Sequence, residues 1–254
     1  MITIRPEQYE TFEKKAHQDF EDELVAHLKQ FSPKHAAGVG DEGLRKLIRT
    51  GLRNARHYGF KCRGSLRFYV ECQVMFGHEF HADPLLPWAG REFGKKGWGD
   101  ELARADAIHA VAMEYRKAVV GEKDAIELAA IRRLVKKPPV EWVGGDPSDA
   151  TTRQILGDLY PEKIAQAPPD AVSAVVARGK QAAATNQLPA VGGGRVMAGL
   201  MVAFGHGVLA DPQFPWIMAN LAQTRGQSPE DRLKSLGLRT LAYLSDGLAS
   251  VERE

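Results

Sequence analysis

The chain has 254 residues, and 34 Lys+Arg against 32 Asp+Glu leave a formal charge of +2. That balance excludes a polybasic nucleic-acid tail and an acidic solvating tail. With 44% hydrophobic and 26% charged residues, the composition is that of a globular protein, long enough for one large domain or two small ones.

Taken in chain order, most segments read as helix. Phe12, Ala16, Phe20, Leu24, Val25 and Leu28 predict a first helix over 6–30 at a 3.6-residue period. Leu44, Leu47, Ile48, Gly51, Leu52 and Ala55 form one face of a second, with Asp41 placed to cap it and Tyr58-Gly59 to end it. Ser65 is the expected N-cap of a third helix over 66–76, stopped by Gly77. Helices are also expected over 103–120 and 123–135. The second half follows the same plan and ends on a helix over 231–251, where Leu233, Leu236, Leu241, Leu244, Leu248 and Val251 make a stripe. No segment alternates with period 2 and β-branched enrichment, so the expected fold class is all-α.

Two cysteines, Cys62 and Cys72, form no C-x-x-C motif and are expected to be reduced core thiols. The N-terminal stretch has no apolar run of the kind a signal peptide needs. The segment 196–210 is shorter than the roughly 20 residues that span a bilayer. It also carries His206, so it reads as a buried core helix. The expected location is the cytoplasm, with no membrane span.

An internal repeat organises the chain. Phe76-Gly77-His78-Glu79-Phe80-His81-Ala82-Asp83-Pro84-Leu85-Leu86-Pro87-Trp88 recurs as Phe204-Gly205-His206-Gly207-Val208-Leu209-Ala210-Asp211-Pro212-Gln213-Phe214-Pro215-Trp216. The register extends upstream without a gap, pairing Leu28 with Leu156, Gly51 with Gly179, Ala55 with Ala183 and Arg67 with Arg195. The expected organisation is two tandem copies of one helical unit packed as a pseudo-symmetric pair. Unit one covers 1–137, a Pro/Gly-rich linker 138–147, and a degenerate unit two 148–254.

The motif Asp83-Pro84-x-x-Pro87-Trp88, with its copy Asp211-Pro212-x-x-Pro215-Trp216, reads as structural. Aspartate before proline suits an N-cap followed by Pro at the first helical position, with the Trp one turn on as a core anchor. His78-Glu79-Phe80-His81 is one residue short of the spacing that lets two histidines share a metal. The second copy has Gly207 and Leu209 there, so neither a metal nor another cofactor is expected. Gly192-Gly193-Gly194 lacks the Lys-Ser/Thr of a phosphate loop and reads as a flexible turn. Arg45, Arg49, Arg53 and Arg56 share one helix face. Copy two lacks this stripe, which makes it a candidate surface for an acidic partner rather than a requirement of the fold. No residue is assigned a catalytic role.

Beyond the repeat, Phe20-Glu21-Asp22-Glu23-Leu24-Val25-x-His27-Leu28 precedes Leu44-Arg45-x-x-Ile48-x-x-Gly51, then Ala55-x-x-Tyr58-Gly59 and Phe76-Gly77-x-x-Phe80-x-x-Asp83-Pro84-x-x-Pro87-Trp88-Ala89. This pattern resembles small helical proteins of Gram-negative bacteria encoded among type VI secretion spike, adaptor and toxin genes. The resemblance covers residues 10–95 and is degenerate over 150–220, where Asn186-Gln187 replaces Tyr58-Gly59. It implies a non-enzymatic chaperone or adaptor whose protein partner is a secreted effector or toxin. Two alternatives stand beside it: an immunity protein that blocks a toxin, and an enzyme using His78 and Asp83. A nucleic-acid partner is not expected.

Overall fold

The computed structural model describes residues 5–96, 100–142, 144, 146 and 148–251, and among them there is no strand. The first part of the chain contains α1 (Pro6–Phe31), α2 (Pro33–His57), α3 (Arg63–Phe76), α4 (Pro87–Gly94) and α5 (Glu101–Val119), with a one-turn 3-10 helix at Phe80–Ala82 between α3 and α4. Then come α6 (Ala125–Lys136), a 3-10 turn at Pro139–Trp142, α7 (Asp149–Leu159), α8 (Pro161–Gln166), α9 (Ala171–Thr185) and α10 (Ala190–Phe204). A second one-turn 3-10 helix at Val208–Ala210 leads to α11 (Pro215–Gln223) and α12 (Pro229–Val251). The offset that carries Asp83 onto Asp211 also carries α3 onto α10, the first one-turn helix onto the second, α4 onto α11 and α5 onto α12. Among the described residues no helix is long and apolar enough to cross a membrane.

Proline and glycine set the breaks. Pro33 and Pro161 sit in the first turn of α2 and α8, where a missing N–H costs nothing, so each ends one helix and starts the next. Gly40 interrupts α2 with φ 72 and ψ 164. Asp41 follows that break, but its carboxylate pairs with Lys29 at 2.7 Å rather than capping a helix start. Likewise α3 begins at Arg63, ahead of the expected Ser65 cap; the Ser65 hydroxyl is buried and donates to the Cys62 carbonyl and to Glu101.

Two apolar clusters form. The first joins α1 to α5 through Leu24, Leu47, Ile48, Tyr69, Phe80 and Ile108. The second joins α6 to α12 through Leu134, Leu156, Val175, Met197, Ile217 and Leu236. Each fully buried side chain of this size contributes about 1.5–3 kcal/mol relative to exposure. Cys72 belongs to the first core, whereas Cys62 is exposed beside the start of α3, so only one thiol is a core thiol.

The Gly192–Gly194 run is not a flexible turn. All three glycines are buried inside α10, which packs on α9. A Cβ on Gly194 would lie 3.0 Å from Lys180 Cγ, and one on Gly179 would lie 2.6 Å from the Gly194 carbonyl oxygen. Glycine is present there because two helix backbones touch. The connector is seated as well. Trp142 is buried in the second core, and the buried Arg195 donates to the carbonyls of Trp142 (2.7 Å), Gly144 (2.9 Å) and Asp146 (2.6 Å). Val143, Gly145 and Pro147 of that stretch lie outside the described residues.

Candidate functional site

The two repeat motifs meet at a buried contact. Asp83 follows the first one-turn helix; its Oδ1 accepts from the Leu85 N–H (2.8 Å) and its Oδ2 from the N–H of His206 (3.0 Å). Asp211 does the same in reverse, accepting from Gln213 N–H (2.9 Å) and from the N–H of His78 (2.7 Å). Both carboxylates are almost wholly buried. The aspartates therefore do not cap the helices that follow. Leu86 and Phe214 hold those N-cap positions, and it is the second prolines, Pro87 and Pro215, that open α4 and α11. The preceding glycines permit the contact. A Cβ on Gly77 (φ +92) would lie 2.5 Å from the Phe204 carbonyl oxygen, and one on Gly205 (φ +95) 2.9 Å from that of Phe76.

The tryptophans differ. Trp88 is 4% exposed and packs edge-on against Phe76 at 5.2 Å, as the core-anchor expectation requires. Trp216 is only half-buried and stacks on Tyr243 at 5.2 Å. Both indole nitrogens are buried with no hydrogen-bond partner among the described residues.

Beside the clasp, the Glu79 carboxylate lies 3.9 Å from His78 Nε2, 3.5 Å from His206 Nε2 and 3.8 Å from Arg178. Burial pulls the His206 pKa below its ordinary value, against the opposing pull of Asp83. His81 has its hydrogen bond elsewhere. Its Nδ1 meets the Tyr69 hydroxyl at 2.6 Å, and burial pulls its pKa down to about 4. Among the described residues no group of three or more His, Cys, Asp or Glu is arranged to hold a metal. The enzyme alternative joins His78 to Asp83; each aspartate holds the histidine amide of the other motif, and Asp83 Oδ1 also lies 3.9 Å from His206 Nδ1. Asp83 serves the His206 amide, and the His78 amide is served by Asp211.

A cleft of about 610 Å³ opens between the two cores. Its walls include Phe76 and Tyr115 from the first core, Tyr160, Phe204, Trp216 and Tyr243 from the second, and Leu128 and Leu248 from α6 and α12. Lys163 is the buried cation of the wall and donates to the Val202 carbonyl at 2.7 Å. Burial lowers its pKa while Asp83 and Glu127 oppose the shift. Glu127 lines the same cleft, its pKa raised by burial and by Asp124. Lys34, Arg239 and Asp246 are exposed at its edge.

The arginine stripe divides in two. Arg45 pairs with Glu21 (3.0 Å) and Asp22 (2.6 Å), and Arg49 pairs with Glu21 (2.8 Å), so both tie α2 to α1. Their hydrogen bonds hold the Glu21 pKa below its ordinary value, although burial raises it. Arg53 and Arg56 are exposed. The start of α1 also departs from expectation. Residues 7–19 are exposed throughout, with Tyr9 at 62% and Phe12 at 61%, so Phe12 and Ala16 are not core and the burial begins at Phe20.

Two pairs escaped the sequence reading. Arg104 Nη2 donates to the Phe93 carbonyl (2.9 Å), and Arg232 Nη2 to the Leu221 carbonyl (3.1 Å). Tyr115 lies beside Trp88 as Tyr243 lies beside Trp216. Carrying the repeat register past residue 91 aligns Arg104 with Arg232 and Tyr115 with Tyr243. No protein-family model, curated protein or solved structure matches the chain.

Proposed function

We propose that the chain is a non-enzymatic adaptor or chaperone for a secreted effector, built as two tandem copies of one helical unit packed as a pseudo-symmetric pair. The cleft between the units holds an amphipathic segment of the cargo. The observation that carries this reading is the cleft itself. Its volume of about 610 Å³ falls in the range of binding sites, and its walls are largely apolar and aromatic with a few charged groups. Grooves of this kind between helices receive the apolar face of a partner helix.

The shared offset of the later helices and the exchanged aspartate–amide bonds support the tandem arrangement. They also favour a structural use of the repeat motif. Asp83 and Asp211 each commit both carboxylate oxygens to buried backbone amides, the use expected of a group that fixes the fold. The resemblance over residues 10–95 supplies the cargo class, a type VI secretion effector.

The test is a pull-down of candidate effectors with the wild-type chain and a Leu248→Asp variant, whose charge falls in the cleft wall. Helicity and melting temperature should stay close to wild type while cargo capture is lost, and captured toxin should keep its activity. Undiminished capture by Leu248→Asp would remove the cleft from the function. Stoichiometric loss of toxin activity on binding would replace the chaperone reading with the immunity one.

A further inference from the structure

We infer that the clasp between the two motifs is an acid-sensitive latch. Proton uptake by His206 releases it, and the halves part about the turn after α5 and widen the cleft. The inference goes beyond the adaptor reading and does not depend on what the cleft receives.

First, the His206 ring has no acceptor ready for a second proton. Its side chain is 3% exposed, and Nε2 faces the Glu79 carboxylate at 3.5 Å. The neutral ring therefore keeps its proton on Nε2, beside an acceptor. Nδ1 is buried without a hydrogen-bond partner, and Asp83 Oδ1 lies 3.9 Å from it. That oxygen already accepts from the Leu85 N–H, while Oδ2 holds the His206 N–H. An imidazolium donates from both ring nitrogens. Its new N–H gains an acceptor by drawing Asp83 off the Leu85 amide, which loosens the clasp. Leu85 is the one described residue before 120 that is buried in the second core, so its turn is what ties the first half to the second.

The surrounding charges are divided. Asp83 and Glu79 favour the proton on His206, whereas burial, the largest influence, and Arg178 oppose it. His81 lies near enough to feel the ring's charge. His78, across the clasp, faces Glu79 at 3.9 Å and gives its N–H to Asp211. Lys163 and Tyr115 act on Asp83, and Tyr243 on Asp211.

Second, Glu79 is held in a left-handed conformation, φ 58 and ψ 24, that residues with a side chain seldom adopt. The matched residue is Gly207, where a Cβ would lie 2.3 Å from the His78 carbonyl oxygen. One carboxylate thus serves both imidazoles and Arg178 across the clasp. Backbone strain at a bridging residue marks a switch element.

Third, the halves can part with both cores intact, because each has its own apolar cluster. The cleft between them is walled at the clasp by Phe76, Gly77, Phe204 and Gly205 and at the end of α5 by Val119 and Val120. The chain passes from α5 to α6 over 120–124, where Gly121, Lys123 and Asp124 all have positive φ. A few such residues suffice for a hinge. The Tyr160 hydroxyl donates to the Val119 carbonyl at 2.9 Å and keeps the halves together on that side. Gln213, bonded to Asp211, Gln73 and His35, is released with the clasp.

The experiment is amide hydrogen exchange of the full chain from pH 7.5 to pH 4.5, read as protection factors so that the chemical effect of pH cancels. Protection over 77–86 and 205–214 should fall by up to about tenfold per pH unit, the limit for one proton. At pH 4.5 these segments should exchange at least about tenfold faster than 44–55 and 233–244, as for an opening smaller than global unfolding. Small-angle scattering should show a larger radius of gyration at pH 4.5 with helicity retained. His206→Asn should lose most of the pH response at the clasp. Glu79→Gln, at a half-exposed side chain, removes a charge that favours the proton on His206, so its opening should grow further toward pH 4.5 than in wild type. A residue that merely packs would shift protection equally at every pH. Clasp and core segments exchanging together would overturn the inference, as would clasp protection or a radius of gyration that is level with pH. A pH response in His206→Asn as steep as wild type, or in Glu79→Gln no steeper, would also overturn it. None of these outcomes bears on cargo capture, which the pull-down reads separately.

Discussion

The carboxylate of Asp211 holds the backbone N–H of His78 at 2.7 Å, joining residues far apart in the chain at a buried site, and Asp83 holds the N–H of His206 in return. Each aspartate also closes its own turn through the N–H two residues on. Removing either carboxylate leaves buried amides without an acceptor. Such a loss costs about 1–3 kcal/mol. Asp83→Ala and Asp211→Ala should each lower the unfolding free energy by that amount in urea titrations. The two changes should not be additive, because both act on one contact between the halves. A loss below a few tenths of a kcal/mol from either variant would mean that the exchanged bonds do not hold the halves together.

The tryptophans, although matched in the repeat, should respond differently to truncation. Trp88 is almost fully buried among Phe76, Phe80 and Tyr115, so Trp88→Ala should cost about 3–5 kcal/mol, as for large aromatic residues in cores. Trp216 is half-buried and faces the cleft, so Trp216→Ala should cost clearly less. Thermal or chemical denaturation of the two variants side by side decides this. Equal losses would contradict the unequal burial.

The helices are legible in the sequence because each buries one stripe. Leu44, Leu47, Ile48, Leu52 and Ala55 repeat at helical spacing and are all in the first core. The aspartates are not legible in the same way. An Asp-Pro pair looks locally like a cap, and only the fold brings a His amide from the other half within reach of the second carboxylate oxygen. The glycine run at 192–194 misleads for a similar reason. Glycine marks either a turn or a close helix contact, and the packing of α9 on α10 selects the second. The exposed residues 7–19 of α1 mislead in the opposite sense, since a 3.6-residue stripe reports that a face is apolar and not what covers it.

Charge neutralisation should split the arginine stripe. Arg53 and Arg56 are exposed, and replacing both by Gln should change stability within about 0.5 kcal/mol per site, the usual range for surface positions. Arg45 and Arg49 converge on Glu21, whose side chain is only 13% exposed. The Arg45→Gln/Arg49→Gln double variant should be destabilised more than the Arg53→Gln/Arg56→Gln one, and the difference should shrink in high salt as screening weakens the pairs. If the outer pair proves the more costly, the α1–α2 ion pairs are not what the stripe is for.

Stability should fall in mild acid. His206 and His81 are both held below the ordinary imidazole value of 6.5 in the folded chain, His81 at about 4, in each case mainly by burial. Above pH 6.5 both are neutral whether the chain is folded or not, and neither contributes a pH dependence. As pH drops below 6.5 the unfolded chain takes up protons that the folded chain refuses, so the folding free energy declines toward pH 4. Asp211 works the other way. Burial raises its pKa, so its ionised form is disfavoured in the folded state and that penalty eases as the pH approaches its folded pKa, at the acid end of the range. The net expectation is a progressive loss between pH 6.5 and about 4, led by the histidines. Urea titrations from pH 7.5 down to pH 4.5 should show it, and His206→Asn should flatten part of the slope because its side chain no longer takes up a proton on unfolding. A profile that is level over this range, or a His206→Asn profile as steep as wild type, would mean that His206 is not the buried neutral group its surroundings make it.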